Sequence, residues 1–569
     1  MSSVPPTPLN RIARHLPLTG VLRLGRPSDI WFKPALSAVV SVALPTLTLL
    51  VLGRLDLAMY TMAGSLCALY AHNRPYAARA RALAWVVVGM IGGLAVALVT
   101  ASLTADPVVL VTVGALMAAA QKALCDATRI GPPGNVVLTF ISSASLFAPQ
   151  TLGQVPAHLA LALAAAAWAW LVGMAPGLLR PHGPERRATA QALNAAAVHA
   201  AAVHAAAVHV AAAGTGDGHA RSRAAAAAAV HAAWRTLLST GARTAPRRAL
   251  ERLVVRAEVA LAAPADADPE RLRAWARQLC GTGPVPEAGE TAADTDELLG
   301  VDAETAAPHR PWWTLLGPLT PIVARTALGC ALAGYASLAL GIGRPYWALV
   351  TAASLYQANM TLTWKRGIQR VVGNLVGVLV FAAVAPLAHA SDLALVLLCM
   401  AFNFGAEALM GRNYWLGSIC VTPLALLVVE FAGYHEPGEL ITERAVDTVV
   451  GALVGFVAAV AVTNRRAGDR IQHALAAVDR ARERAGRLLA EERPAPAALE
   501  SARRNLAATL VDLRATADAA SGEWWQRALP EERVVLTEQS AHRTLAATIR
   551  RQGPHAPAST GETTEDVRP

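Results

Sequence analysis

The sequence is poor in charge and in aromatic residues. Of its 569 residues, 16% are charged and 5% are aromatic, whereas 54% are hydrophobic. A soluble globular domain carries about 25% charged residues, so this composition argues against a conventional soluble enzyme. The mean hydropathy of +0.38 also excludes intrinsic disorder over most of the chain, because there is ample apolar surface to bury. The sequence therefore predicts an integral membrane protein.

Several signatures of other protein classes are missing. The six cysteines show no CxxC spacing, which disfavours a disulfide framework or a metal site. Because no Walker A motif, dinucleotide glycine fingerprint or HExxH motif occurs, we expect no enzyme, no cofactor and no ATP-driven transport by this chain alone. The net charge of +10 comes from Lys and Arg in short runs between apolar blocks, so we expect no nucleic-acid partner. Residues 1–34 lack the apolar core of a signal peptide, so we expect the first apolar segment to be an uncleaved anchor.

Apolar segments that suit membrane spans form two groups of six. A helix needs about 20 mostly apolar residues to cross the hydrocarbon core. The first group lies near residues 35–53, 57–71, 83–102, 107–124, 135–152 and 157–178. The second group lies near residues 322–342, 346–361, 371–388, 392–409, 416–434 and 445–462. The sequence therefore predicts an all-α polytopic membrane protein with six-helix repeats at 35–180 and 310–463, in which the second span of each group is short.

The positions of the basic residues predict the orientation. If the N-terminus is inside, most Lys and Arg near the span ends fall on the inner side, and the outer loops hold only Arg54, Arg344 and Arg444. Lys and Arg are retained on the cytoplasmic side of a membrane. We therefore expect a multi-pass protein of the inner (plasma) membrane with both termini in the cytoplasm.

Three segments outside the spans are expected in the cytoplasm: residues 1–34, the Ala/Arg-rich segment 181–309 and the tail 464–569. The uncharged stretch Ala188–Gly214 reads as an alanine-rich helix, since alanine favours helix but contributes little to insertion. Its histidines, His199, His204 and His209, recur every five residues and point apart on a helix, which disfavours a metal site.

The tail contains two apolar stripes at helical spacing. They consist of Ile471, Leu475 and Val478, and of Leu506, Leu510 and Leu513. Such stripes need a partner, so we expect a cytoplasmic helical bundle formed with the segment 181–309. From about residue 554 we expect disorder.

The two membrane halves resemble each other in sequence. VVVGMIGG at 86–93 matches RVVGNLVG at 370–377, and both contain GxxxG, with Gly89 and Gly93 matching Gly373 and Gly377. Glycines four residues apart let another helix approach closely, so all four are predicted to serve helix packing. Because each copy has an even number of spans, a parallel repeat about a pseudo-twofold axis is expected. The protein would then be an internal pseudo-dimer or a homodimer.

The second half carries a longer pattern. It contains Tyr346-Trp347-Ala348 at the start of a span, a basic loop with Lys365-Arg366, the R-x-x-G-x-x-x-G segment from Arg370, and Asn413-Tyr414 before Thr422-Pro423. This pattern resembles the fusaric-acid-resistance-like (FUSC) family of bacterial membrane transporters. Asn374 departs from it, since the family more often has Thr after the first glycine. The resemblance implies an exporter of aromatic or other organic acids, with the plant aluminium-activated malate channels as distant relatives.

Charged residues at membrane depth are costly and are functional candidates by default. The candidates for the substrate or ion pathway are Arg325, Arg370, Glu407 and Arg412, joined by the polar residues Gln357, Asn359, Asn403 and Thr422. An organic anion requires positive charge, and a guanidinium group pairs bidentately with a carboxylate. Glu407 is the candidate proton carrier, and an ion pair with Arg412 is one of its possible states.

The sequence thus predicts a secondary exporter of small organic acids, driven by the proton gradient, whose partners are the lipid bilayer and the organic anion. Two alternatives stay open. One is an anion channel in which Arg370 and Arg412 concentrate anions without coupling. The other is a membrane-anchored scaffold whose cytoplasmic helices bind a partner.

Overall fold

The computed structural model describes most of the chain. The described residues are 18, 20–25, 31–128, 130–131, 133–208, 216–239, 244–287, 316–357, 359–462, 467–521 and 530–552. They form helices and no strand, which confirms the all-α class for these ranges. His209 and the tail from residue 554 lie outside them. The chain divides into two compact units, the first with Met1–Pro181, His309–Ala467 and Ala519–Arg527, and the second with His182–Pro308, Gly468–Asp518 and Ala528–Pro569.

The first unit contains the two apolar halves. The first half consists of α1 (Phe32–Val51), α2 (Ala58–Ser65), α3 (Tyr76–Leu103), α4 (Pro107–Thr128), α5 (Val136–Leu146), α6 (Val155–Met174) and the short α7 (Pro176–Leu179). Single 3-10 turns, Leu55–Leu57 and Leu66–Leu69, flank α2.

The helices of the second half follow residue 315. They are α12 (Leu316–Ala339), α13 (Tyr346–Leu355), α14 (Met360–Ala388), α15 (Asp392–Met410), α16 (Tyr414–Glu430) and α17 (Pro437–Ala461). Helices α8 to α11 and α18 to α20 belong mainly to the second unit and are given below.

Eight helices of the described chain are long and apolar enough to cross a membrane, and they include the first, third, fourth and sixth helix of each half. The second and fifth helices are shorter. Helix α5 has 11 residues, so at about 1.5 Å per residue it covers roughly half of the hydrocarbon thickness. The predicted full span at 135–152 is therefore wrong: the helix ends at Leu146, three residues before Pro149, which is followed by the polar Gln150 and Thr151. In the same way α13 ends at Leu355, short of the predicted 361.

Short and long helices differ in what they bury. All ten residues of α13 are buried. The long helices expose large apolar side chains, such as Trp85, Leu379 and Val457. Apolar surface of that extent is unfavourable in water but suits contact with lipid tails. The first unit is therefore a multi-pass membrane structure with short helices in its interior.

The helices of the two halves pack in corresponding ways. In the first half α3 packs against α5 and α6, and in the second half α14 packs against α16 and α17. The first helix of each half packs against the fourth helix of the other half, α1 on α15 and α12 on α4. The internal repeat itself stays a prediction.

The second unit is a helical bundle. Its helices are α8 (Gly183–Val208), α9 (Gly216–Leu238), α10 (Ala245–Ala262), α11 (Pro269–Cys280), α18 (Ala467–Ala490), α19 (Pro496–Ser521) and α20 (Glu531–Gln552). The alanine-rich stretch predicted as a helix is α8, which is not among the apolar helices of spanning length. All six residues of the two tail stripes are buried. Arg503 of α19 pairs with Glu258 of α10 at 3.2 Å, so the tail packs with the central segment.

One buried histidine makes the stability of this bundle depend on pH. Burial, with the nearby Arg223 and His199, lowers the pKa of His542 in α20 to about 3. An unfolded chain protonates histidine near pH 6.5, so between about pH 6.5 and 3 the unfolded state binds more protons than the folded state. Stability is therefore lost as the pH falls, by about 1.4 kcal/mol per pH unit. We expect hydrogen exchange of α20 in the full-length protein to accelerate about fivefold between pH 6.5 and 5.5, after correction for intrinsic rates, because an unfolded chain already protonates half of its histidine at pH 6.5.

The variant His542→Leu should remove this acceleration, and His473→Leu, at an exposed histidine, should keep it. The comparison between variants is needed because burial raises the pKa of Glu538 on the same helix. Protonation of that carboxyl stabilises the folded state at low pH and opposes the histidine effect. Equal acceleration in the wild type and in His542→Leu would contradict the assignment.

Candidate functional site

A buried polar cluster lies among helices α13, α14, α16 and α17. We call it the arginine cluster, and its buried polar members are Arg370, Asn374, Ser418, Thr422, Arg444, Asp447 and Thr448, each at most 4% exposed. Arg370 and Asn374, and Ser418 and Thr422, are four positions apart, and Asp447 and Thr448 lie three and four positions after Arg444, so the members on each helix share one face. The part of each helix that carries the cluster thus presents a polar face to the protein interior.

Glycines bring these helices into close contact. A Cβ atom added to Gly373 of α14 would lie 2.5 Å from Ser418 Cβ and 2.6 Å from the Trp415 carbonyl oxygen of α16. A Cβ added to Gly377 would lie 2.6 Å from Thr422 Cβ, and one on Gly451 of α17 would lie 2.4 Å from the Ala348 carbonyl oxygen of α13. Only glycine permits such separations, so the polar side chains beside these positions are forced together.

The amide of Asn374 connects three helices. Its Nδ2 donates to Thr448 Oγ1 of α17 at 3.0 Å, and its Oδ1 accepts from Thr422 Oγ1 of α16 at 2.9 Å. Thr448 in turn donates to the Arg444 carbonyl oxygen at 2.7 Å. A threonine at position 374 could not supply both amide groups, so the departure from the family pattern has a structural use here.

Two arginines in the cluster have unused hydrogen-bond donors. Arg370 Nη1 donates to the Tyr414 hydroxyl at 2.9 Å, and the guanidinium of Arg444 lies 4.1 Å above the ring of Trp347. Within the described part of the chain, Arg370 Nε and the Nε and Nη1 of Arg444 are buried and have no hydrogen-bond partner. The two charges also act on each other. Buried donors without partners are costly, so both groups are suited to an anionic acceptor.

The balance of charge around these arginines is positive. Asp447 Oδ1 accepts from Ser337 Oγ at 2.7 Å, and its Oδ2 has no partner among the described residues. Arg444 and Asp447 form no ion pair within the described ranges, although they lie one turn apart. A third guanidinium, that of Arg366, lies 3.8 Å above the Tyr414 ring. The cluster thus contains two buried arginines and one buried aspartate, and the guanidinium of Arg366 lies on the ring of Tyr414, the hydrogen-bond partner of Arg370.

Two of the predicted pathway residues, Arg370 and Thr422, belong to the arginine cluster. Arg325 is also buried, but its Nε donates to the Val462 carbonyl oxygen at the end of α17. Asn359 caps α14 by accepting from the Leu362 N–H at 2.8 Å.

The remaining predicted residues lie apart from the cluster. The Gln357 N–H donates to Thr363 Oγ1, and Asn403 is buried within α15. Arg412 is exposed, and among the described residues Glu407 forms no ion pair with it. Of the predicted packing glycines, Gly93 would place a Cβ 2.9 Å from Ser142 Oγ, whereas a Cβ on Gly89 would meet nothing within 4 Å.

Sequence reasoning missed Arg444 and Asp447. Arg444 was assigned to an outer loop because the last span was expected from residue 445, but α17 begins at Pro437 and Arg444 is 1% exposed. Proline at the first helical turn was a start signal. A second sign of the helix was the helical spacing of positions that are buried in the structure, namely Leu440, Arg444, Asp447, Thr448 and Gly451.

In the first half, polar side chains of α4 and α5 lie where the repeat predicts the counterpart of the cluster, and the hydrogen-bonded group that they form contains no arginine. Gln121 Nε2 donates to Ser142 Oγ at 2.9 Å, and Thr139 Oγ1 donates to Gln121 Oε1 at 2.9 Å. Asn135 Nδ2 donates to Thr139 Oγ1 at 3.3 Å. These neutral groups satisfy one another, so this region offers no guanidinium to an anion; the buried Arg79 of α3 lies elsewhere, with its Nη2 3.1 Å from His72 Nδ1.

Comparison with known proteins identifies this half. Residues 331–458 match the family model described as fusaric acid resistance protein-like. The matched range contains the whole arginine cluster, and it confirms the resemblance seen in the sequence pattern. No curated protein and no solved structure matches the chain.

Proposed function

We propose that this chain, whose residues 331–458 belong to the fusaric acid resistance protein-like family, is a secondary transporter that exports small organic acids across the inner membrane. The family match and the eight apolar helices of spanning length indicate a multi-pass membrane transporter. The substrate class, the direction and the coupling are the proposed parts.

The observation that carries the proposal is the pair of buried arginines. Arg370 and Arg444 keep buried guanidinium nitrogens that have no hydrogen-bond partner among the described residues. A carboxylate has two oxygens with four acceptor positions, which matches the fork of guanidinium donors. The anion of a small organic acid would satisfy both arginines and offset their mutual repulsion.

Aromatic side chains beside the cluster favour acids with an apolar or aromatic body. Trp347 and Tyr346 lie 4.7 Å apart by ring centroids. From the first half, Phe140 approaches Trp347 at 5.7 Å and Phe147 approaches Tyr346 at 5.8 Å. Rings at these separations prefer offset or tilted arrangements, and a planar substrate could join them.

The first helix of each half packs against the fourth helix of the other half, and this reciprocal packing supports the proposed parallel repeat. A pseudo-twofold axis would carry the contact of α1 with α15 onto the contact of α12 with α4, and both contacts are present. The two aromatic contacts above would then lie where the halves meet. We propose that the functional unit is this internal pseudo-dimer, with both termini in the cytoplasm.

Two sources of energy can drive the proposed export: the membrane potential and the proton gradient. A membrane potential, negative inside, favours export of a monovalent anion by about 2.3 kcal/mol per 100 mV. Proton coupling requires in addition a carboxyl group on the pathway. Glu407 is the candidate from the sequence, and Asp447, one turn from Arg444, is the candidate that the cluster adds.

Flux measurements on purified protein in liposomes test the proposal. We would load labelled aromatic and aliphatic carboxylates and impose a pH gradient and a membrane potential separately. We expect saturable flux that is stimulated by unlabelled substrate on the opposite side, which is the behaviour of a carrier. Flux that follows the potential, does not saturate and shows no such stimulation would indicate a channel. If folded protein moved no carboxylate, the transport proposal would be wrong.

Separate variants then decide the coupling. Uphill flux that follows the pH gradient and is lost in Asp447→Asn, but kept in Glu407→Gln, would assign the proton to the arginine cluster. The opposite pattern would assign it to Glu407. A pH gradient without effect on wild-type flux would leave the membrane potential as the driving force.

A further inference from the structure

A short segment near the N-terminus is bound to the end of the second half at which α16 begins. We call Gly20–Gly25 the N-terminal strap. Asn413 Nδ2 donates to the carbonyl oxygens of Val21 and Arg23, at 3.2 and 2.9 Å. Trp415 Nε1 donates to the Leu22 carbonyl oxygen at 3.1 Å. Three consecutive strap carbonyls are thus held by two side chains of one helix start.

Contacts from two further positions complete the attachment. Gln369 Nε2 of α14 donates to the Val21 carbonyl oxygen at 2.9 Å, and the Gly25 N–H donates to the Arg412 carbonyl oxygen at 2.8 Å. The Val21 side chain is 3% exposed. The strap therefore rests on α14, on α16 and on the turn before α16.

The residues that hold the strap are direct neighbours of the arginine cluster. Gln369 precedes Arg370, and Asn413 precedes Tyr414, whose hydroxyl accepts from Arg370 Nη1 at 2.9 Å. Asn413 also caps α16, because its Oδ1 accepts from the Trp415 N–H at 3.4 Å. One asparagine therefore joins the start of α16 to the strap.

We propose that the N-terminal strap is a gate, which covers the arginine cluster from the end where α16 begins and has to leave before a solute reaches the cluster from that end. Its bonds to Asn413, Trp415 and Gln369 are made by strap carbonyls, which water would solvate on release. Release therefore breaks no bond within the membrane helices. The identity of the solute, an organic anion, rests on the proposed function, whereas the movement of the strap does not.

Two variants displace the strap by different means. In Gly25→Ala the new Cβ would lie 2.8 Å from the Arg412 carbonyl oxygen, so the strap cannot keep its position. In Asn413→Asp the Oδ1 acceptor that caps α16 is retained, but the donor to the strap becomes a second oxygen. Gly411→Ala is the matched control, since it adds the same methyl group beside Arg412 with nothing within 4 Å.

The first readout is tryptic cleavage after Arg23 in the full-length, detergent-solubilised protein. The docked strap holds this backbone, so we expect cleavage at least fivefold faster in Gly25→Ala and Asn413→Asp than in the wild type and in Gly411→Ala. Equal rates in all four proteins would show that the strap is not docked, and would overturn the proposal.

The second readout reports access to the cluster without a transport assay. Ser418→Cys, made in a Cys420→Ala background so that the neighbouring native thiol is removed, places a thiol of nearly the same shape at a buried position of the cluster, and a water-soluble maleimide is counted on the peptide that contains it. We expect labelling at least fivefold faster when Gly25→Ala or Asn413→Asp is added, and unchanged when Gly411→Ala is added. Faster cleavage with unchanged labelling would mean that the strap leaves without opening a path, and the gate would be refuted. Absence of carboxylate flux in the wild type would refute the proposed function and leave this result standing.

Discussion

Replacing Arg444 by glutamine is expected to lower organic-anion flux at subsaturating substrate by about 100-fold. Within the described residues, Arg444 has two buried nitrogens without hydrogen-bond partners, and a hydrogen bond to a charged group contributes about 1.5–3 kcal/mol. Loss of about 2.8 kcal/mol corresponds to a 100-fold weaker interaction. Arg444→Lys should give an intermediate flux, because lysine keeps the charge but loses the planar fork. The measurement is the concentration dependence of initial flux in liposomes of equal protein content.

Arg412→Gln is the matched control for this prediction. Arg412 lies in the same half and is exposed, so its loss should leave the flux within about twofold, as for most surface substitutions. Thermal unfolding of each purified variant separates a lost anion contact from a lost fold. Normal flux in a folded Arg444→Gln protein would remove Arg444 from the mechanism. A large effect of Arg412→Gln alone would favour the channel, in which an exposed basic residue concentrates anions.

Much of the fold was predictable, because hydropathy reveals helices whose apolar segments are long enough to cross the bilayer. The predicted spans match α4 and α15 closely, whereas α3 and α14 begin seven and eleven residues before their predicted starts at 83 and 371 and end where expected. The early end of α5 at Leu146 was missed in the average hydropathy, although Pro149, which breaks helices, follows three residues later and precedes Gln150 and Thr151. Hydropathy cannot separate a helix that crosses the bilayer from one that is enclosed by other helices.

The candidate site was predictable only in part, for a related reason. Arg370 and Thr422 stood out as polar residues within apolar segments. Glu443, Arg444 and Asp447 follow one another closely, so they lowered the local hydropathy and placed the start of α17 too late. A helix that buries its polar face inside a membrane protein resembles a loop in any average over neighbouring residues. The start of α17 could be recognised from the helical spacing of its residues and not from their average hydropathy.

The duplicated glycine motif shows a further limit of sequence reasoning. Gly89 and Gly373 occupy the same place in the two copies, and the pattern gives no reason to distinguish them. In the structure a Cβ on Gly89 meets nothing within 4 Å, whereas one on Gly373 meets the Trp415 carbonyl oxygen at 2.6 Å. Which face of a helix receives a partner depends on the neighbouring helix, and the motif does not encode it.

This difference makes Gly373→Ala and Gly89→Ala a matched pair with opposite expected results. The methyl group in Gly373→Ala would also lie 2.5 Å from Ser418 Cβ, so α14 and α16 have to separate. Overpacking of this kind costs about 1–3 kcal/mol, and more where backbone atoms block the relief. Separation of these helices would also stretch the hydrogen bond from Thr422 to Asn374, which lies one position beyond the glycine.

We therefore expect Gly373→Ala to lower the midpoint of thermal unfolding by several degrees and to reduce anion flux together with it. Gly89→Ala should leave both unchanged or raise the midpoint slightly, because alanine favours a helix over glycine by about 1 kcal/mol. The fraction of protein that elutes as a single species after heating in detergent measures the first quantity, and the liposome assay measures the second. Equal loss of stability in the two variants would mean that the glycines act through helix flexibility. Loss in Gly373→Ala alone would show that close contact between α14 and α16 is what positions Arg370 and Asn374.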